Sequence, residues 1–175
     1  MHDVSSILQG TEEHDGDWSI RTFSRELSGA NYLPPNRRDF YKIMLVNQAT
    51  GVFTMGMNSY YMEEPTLMLI PPAEIISWKG LSDHYTAEIC LFKKSFTEAH
   101  PMLKVVMDKY RLFMDSERSL IHLDQAQLEV MLKLFHQMQE AEQIGGLVAE
   151  DAMQAYLQLI MIEGVKIGKH PQPDG

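Results

Sequence analysis

Catalysis needs particular side chains at particular spacings, and histidine is the first to look for. The chain carries seven: His2, His14, His84, His100, His122, His136 and His170. A metal site wants histidines and carboxylates converging from neighbouring positions. No His-x-His pair and no His-x₃-His spacing occurs, so each is read as a surface or helix-end residue. The paired carboxylates Glu12-Glu13 and Glu63-Glu64 fall in a polar stretch and before Pro65 in a turn. They read as solvated charge rather than a general acid–base pair. Cys90, the only cysteine, lies inside an apolar run with no neighbour that would lower its pKa, which predicts a buried, inert thiol. No glycine-flanked serine elbow and no glycine-rich phosphate loop is present. The expectation from residue types is no enzyme, no metal and no cofactor.

Nucleic acid is the next possibility. Residues 143–163 could mimic a helix-turn-helix with its turn at Gly145-Gly146. Glu150 and Asp151 would then meet phosphates where a recognition helix approaches DNA. The net charge is −9, carried by residues 1–36 and 97–175, while residues 37–96 are balanced. A duplex-binding surface needs clustered Lys and Arg, so this chain by itself is expected to make no nucleic-acid contact. No apolar run approaches the roughly 20 residues of a membrane span. No apolar signal segment opens the chain and one cysteine cannot bridge within it, so a reducing, cytoplasmic location is expected.

Recognition remains. Tyr41, Tyr60, Tyr61, Trp78 and Tyr85 lie in or beside apolar runs. Such aromatics suit an apolar pocket with a few directional hydrogen bonds; the plainer reading is ordinary core and edge aromatics. The thirteen methionines read as adaptable core filler.

The elements that must position these residues follow from period and punctuation. Residues 1–17 are polar and acidic with no period, a flexible arm. Trp18–Leu27 alternates and reads as a first strand; Ser28–Asn36, with Pro34-Pro35, reads as a loop. Short apolar runs then alternate with turns: Phe40–Val46, Val52–Met55, Tyr60–Met62, Leu67–Ile70, Ile75–Trp78 and Tyr85–Phe92. This spacing predicts an antiparallel sandwich or barrel over 18–96. From Ser95 the period becomes helical, with Thr97 as a cap and a break at His100-Pro101. After a further break at Asp115–Arg118, Ser119–Leu123 is extended. Asp124 caps a long amphipathic helix on Leu128, Met131, Leu132, Phe135 and Met138, stopped at Gly145-Gly146. A last helix spans Glu150–Val165, and the ending 169–175 reads as a linker-like tail.

Three stretches resemble the N-terminal effector-sensing domain of AraC-type bacterial transcription regulators, a cupin. They are RDFYKIMLVNQATG at residues 38–51, LMLIPPAEIISW at 67–78 and LFKKSF at 91–96. Their order and spacing, with the helices behind them, extend the resemblance over about 20–168. It implies a mostly β fold: a cupin-like antiparallel β-barrel (double-stranded β-helix, or jelly roll) followed by a helical dimerisation segment, 97–168. It implies a small-molecule effector in the barrel and a homodimer through Asp124–Glu142 or Glu150–Val165. DNA would be contacted by the family's C-terminal helix-turn-helix domain, which these residues do not contain. The alternative is a stand-alone cupin, either a metal-dependent isomerase or dioxygenase or a ligand-free dimerisation module. By resemblance the ligand contacts map to Gln48, Trp78, Ala87 and Ile89. Ala73 stands where the pattern has Gly, and Ile76 where it often has the histidine that holds metal in cupin enzymes. Arabinose is disfavoured, because Ala87 and Ile89 make one wall apolar.

Overall fold

In the computed structural model the described residues are 18–26, 32–36, 40–74, 76–80, 82, 84–114 and 119–168. The expected arm (1–17), tail (169–175) and break at Asp115–Arg118 lie outside them. Nine strands come first: β1 Trp18–Glu26, β2 Tyr32–Asn36, β3 Phe40–Gln48, β4 Gly51–Met55, β5 Asn58–Met62, β6 Thr66–Ile70, β7 Ile76–Lys79, β8 His84–Lys93 and, after two helices, β9 Leu120–His122. The helices are α1 Lys94–Ala99, α2 Pro101–Lys109, α3 Gln125–Ile144 and α4 Gly146–Gly168.

All strand pairs are antiparallel. They form a five-stranded sheet, β1-β8-β3-β6-β9, and a four-stranded sheet, β2-β7-β4-β5. The described strands lie in two sheets that do not close into a barrel. The proposed loop Ser28–Asn36 is corrected, for its second half is β2. Pro34 and Pro35 cannot donate to a ladder, and among the described strands β2 pairs only with β7, so the prolines sit on an edge strand that tolerates them.

The central strands of the five-stranded sheet are buried on both faces over residues 42–46 of β3, 66–70 of β6 and 87–92 of β8. Ile43, Leu45, Leu67, Leu69, Cys90 and Phe92 point to one side, where they pack with Met131, Phe135, Leu157 and Ile160 of the helices. Met44, Val46, Met68, Ile70, Ala87, Ile89 and Leu91 point to the other, against Phe53, Met55, Met62, Ile76 and Trp78 of the second sheet. A strand buried on both faces reads as a continuous apolar run, not an alternation.

Asp124 caps α3 as expected. Its carboxylate accepts from the Gln127 N–H at 2.8 Å, and the Gln127 side chain accepts from the Asp124 N–H at 2.9 Å, a reciprocal capping box. Thr97 is not a cap. It lies inside α1, and its hydroxyl donates to the Lys94 carbonyl at 2.7 Å. The last helix begins four residues before its expected start, because Gly145 and Gly146 both take positive φ (81° and 65°) and turn the chain directly from α3 into α4. A Cβ at Gly164 would stand 3.2 Å from both Leu67 Cδ2 and Ile121 Cδ1, so this glycine lets α4 lie close on β6 and β9.

Ala73 adopts φ +69°, the left-handed conformation that disfavours a Cβ. The backbone thus keeps, in the Pro71–Glu74 turn, the conformation that the glycine of the sequence pattern would take freely. Ala73→Gly should stabilise the domain by about 0.5–1 kcal/mol, the strain relieved being offset in part by the freer unfolded chain. A urea midpoint unchanged or lowered would contradict this.

Candidate ligand-binding layer between the sheets

The layer between the two sheets is apolar and rich in flexible side chains. β3 supplies Met44 and Val46, β6 supplies Met68 and Ile70, and β8 supplies Ala87, Ile89 and Leu91. Opposite them lie Phe53 and Met55 of β4, Met62 of β5, and Ile76 and Trp78 of β7. Phe53 and Trp78 are cross-strand neighbours with ring centroids 5.1 Å apart and planes tilted by 52°. Four methionines in one layer give a lining that can repack around a guest. Lys42 is also buried. It shares the parity of Met44 and Val46 and pairs in register with Ile70 and Leu91.

Trp78, Ala87 and Ile89 come together in this layer, with Trp78 on one sheet and the other two facing it. Gln48 does not join them; it is exposed at the end of β3. Simple alternation would put Met44, Val46 and Gln48 on one face. The pairing shifts between Val46, opposite Ala87, and Gln48, opposite Thr86. This bulge inserts one residue, and Gln48 is aligned with the helix-facing parity of Glu88 and Cys90 instead. Ile76 is buried inside the layer, at the position where the pattern often has histidine.

His100, His122 and His136 make separate contacts. His100 Nε2 lies 2.9 Å from Glu150 Oε2 and joins the α1–α2 junction to α4. His122 Nδ1 lies 3.2 Å from Thr66 Oγ1, and His136 Nε2 lies 3.3 Å from Glu88 Oε2. Among the described residues no three His, Cys, Asp or Glu side chains converge as a metal site. Cys90 is buried, and that burial first, with the nearby Glu142 carboxylate second, pushes its thiol far above the usual range. A thiol so placed is a poor nucleophile. Sequence reasoning missed Glu88, a buried carboxylate in the otherwise apolar run 87–92 of β8. Its signal was a single charge inside Ala87–Phe92, which no alternation could assign to a face.

The architecture is that of a two-sheet antiparallel sandwich with a helical layer on the larger sheet. No protein-family model matches the chain, and no curated protein matches it. Solved structures do share the fold. One is apo ToxT K231A from Vibrio cholerae strain SCE256, with a TM-score of 0.53 at 13% identity over 91% of this chain and 61% of that one. Another is ToxT from Vibrio cholerae O395 bound to (E)-4-(8-methylnaphthalen-1-yl)but-3-enoic acid, with a TM-score of 0.52 at 12% identity over 86% and 57%. The chain spans about three-fifths of the length of these ToxT chains. At such identity the likeness is one of fold. No helix among the described residues is long and apolar enough to cross a membrane.

Proposed function

We propose that this chain is the cupin-type effector-sensing and dimerising domain of an AraC-type transcription regulator, with DNA contacted by a separate domain. The observation that carries this reading is the joint occurrence, in one order, of sandwich and helical layer as in ToxT over 91% of the chain. The sequence resemblance at 38–51, 67–78 and 91–96 supports it independently. The effector is small and largely apolar, held between the sheets by the methionines with Trp78, Ala87 and Ile89 as its walls. The acid bound to ToxT in one of the matching structures is of this chemical type.

Dimerisation is assigned to α4. Its outer stripe is Val148, Asp151, Ala155, Leu159, Ile162 and Lys166, spaced 3 and 4 apart as in a helical seam. Val148 and Leu159 are about half exposed (58% and 46%), and Leu147 beside them is 79% exposed. The outer face of α3 carries Glu129, Lys133 and Glu140, with the half-exposed Val130 beside them. Leu159 lies near the midpoint between Asp151 and Lys166. Two copies of α4 crossing antiparallel about Leu159 therefore set each Asp151 against the partner's Lys166. That self-complementarity is what a two-fold interface requires.

The test is effector binding. In a Trp18→Phe background Trp78 is the remaining tryptophan of the two in the chain, and its emission reports on the layer. Titration with (E)-4-(8-methylnaphthalen-1-yl)but-3-enoic acid and a panel of small apolar acids should give a saturable change, with the negative heat-capacity change of apolar burial. No saturable response across the panel, with stoichiometric metal in the purified protein, would favour the enzymatic cupin instead.

A further inference from the structure

Glu88 sits between the proposed effector layer and the helices. It lies on β8 opposite Leu45 of β3, with the parity of Cys90 and Phe92, and so faces α3. Its side chain is 3% exposed. The Gln139 amide donates to Glu88 Oε1 at 3.0 Å, and His136 Nε2 lies 3.3 Å from Oε2. Gln139 and His136 both belong to α3. The residues before and after Glu88 in the chain, Ala87 and Ile89, point the opposite way, into the inter-sheet layer.

We infer that Glu88 is a positioning residue that couples the inter-sheet layer to α3, an inference that rests on reading that layer as the effector site. A guest pressing on Ala87 and Ile89 displaces β8, and Glu88 moves with its strand. A buried carboxylate separated from its hydrogen-bond partners is strongly disfavoured, so α3 follows rather than letting Gln139 and His136 part from it. Apolar contacts between strand and helix can slide, whereas this polar contact fixes one relative position. Because α3 runs directly into α4, the movement reaches the face assigned to dimerisation. Coupling between two sites needs such an element, biased from both.

The coupling can be read without any effector. Ile89→Val alters the layer side of β8 by one methylene, and amide shifts along α3 around His136 and Gln139 report the response. These shifts should be clear in the otherwise native chain and fall by about half or more when Glu88→Gln is added, a non-additivity that independent sites do not show. An unchanged response in the Glu88→Gln background overturns the inference, as does an α3 that ignores Ile89→Val altogether. Should Glu88→Gln not fold, Gln139→Leu removes the hydrogen bond from the helix side and must reduce the response in the same way. Failure of the effector titration is a separate result, since no ligand enters this measurement.

Discussion

Trp78→Ala should destabilise the domain by about 3–5 kcal/mol, the usual cost of emptying a large aromatic site in a core. Trp78 is only 1% exposed and packs on Phe53 at 5.1 Å. It belongs to the apolar layer that holds the two sheets together. For a chain of this size each kcal/mol lowers Tm by roughly 2–4 °C, so thermal unfolding should show a drop of about 6–20 °C. A drop of only a degree or two would mean that the layer is loosely packed around the indole. Loss of effector binding in Trp78→Ala would therefore not by itself identify a ligand contact. Trp78→Phe keeps an aromatic face at smaller cost and is the variant in which binding and folding can be separated.

Leu159→Glu should convert the proposed dimer to monomer. Near the two-fold axis each copy loses the burial of the exposed half of one leucine, about 0.7–1.5 kcal/mol, and two like charges are brought together. Two such losses weaken association by at least about 10-fold, and the charge repulsion adds to this. Sedimentation at micromolar concentration should show dimer for the native chain and monomer for the variant. Lys133→Glu, on the charged outer face of α3, should leave the dimer intact. Asp151→Lys should weaken it, and adding Lys166→Asp should restore it, because the reversed pair again attracts. A native chain that sediments as a monomer would overturn the α4 assignment, as would a Leu159→Glu variant that remains dimeric.

These expectations extend to the link between the two regions. A domain in which effector and partner occupy opposite faces of one sheet needs a contact that cannot slip. Ala87 and Ile89 on one face of β8 and Glu88 on the other meet that requirement within three consecutive residues.

The sequence by itself determined the succession of strands and turns from Phe40 to Phe92, because Gly, Pro and Asn mark turns by local backbone preference. It also determined α3, through the Asp124 cap, the 3.6-residue apolar period and the Gly145-Gly146 stop. These signals are local, and each is decided by a few neighbouring residues. What lay on which face of the five-stranded sheet was decided only by the tertiary structure. Periodicity reveals a buried face by its contrast with a wet one, and β3, β6 and β8 have no wet central face. Met44 and Leu45 look equivalent in the chain, yet one lines the layer between the sheets and the other packs on the helices. The bulge that moves Gln48 away from Trp78, Ala87 and Ile89 depends on the pairing of β3 with β8, a contact between segments some forty residues apart. Edge position, likewise, is what allowed Pro34-Pro35 to stand in a strand, and an edge exists only once the sheet has formed.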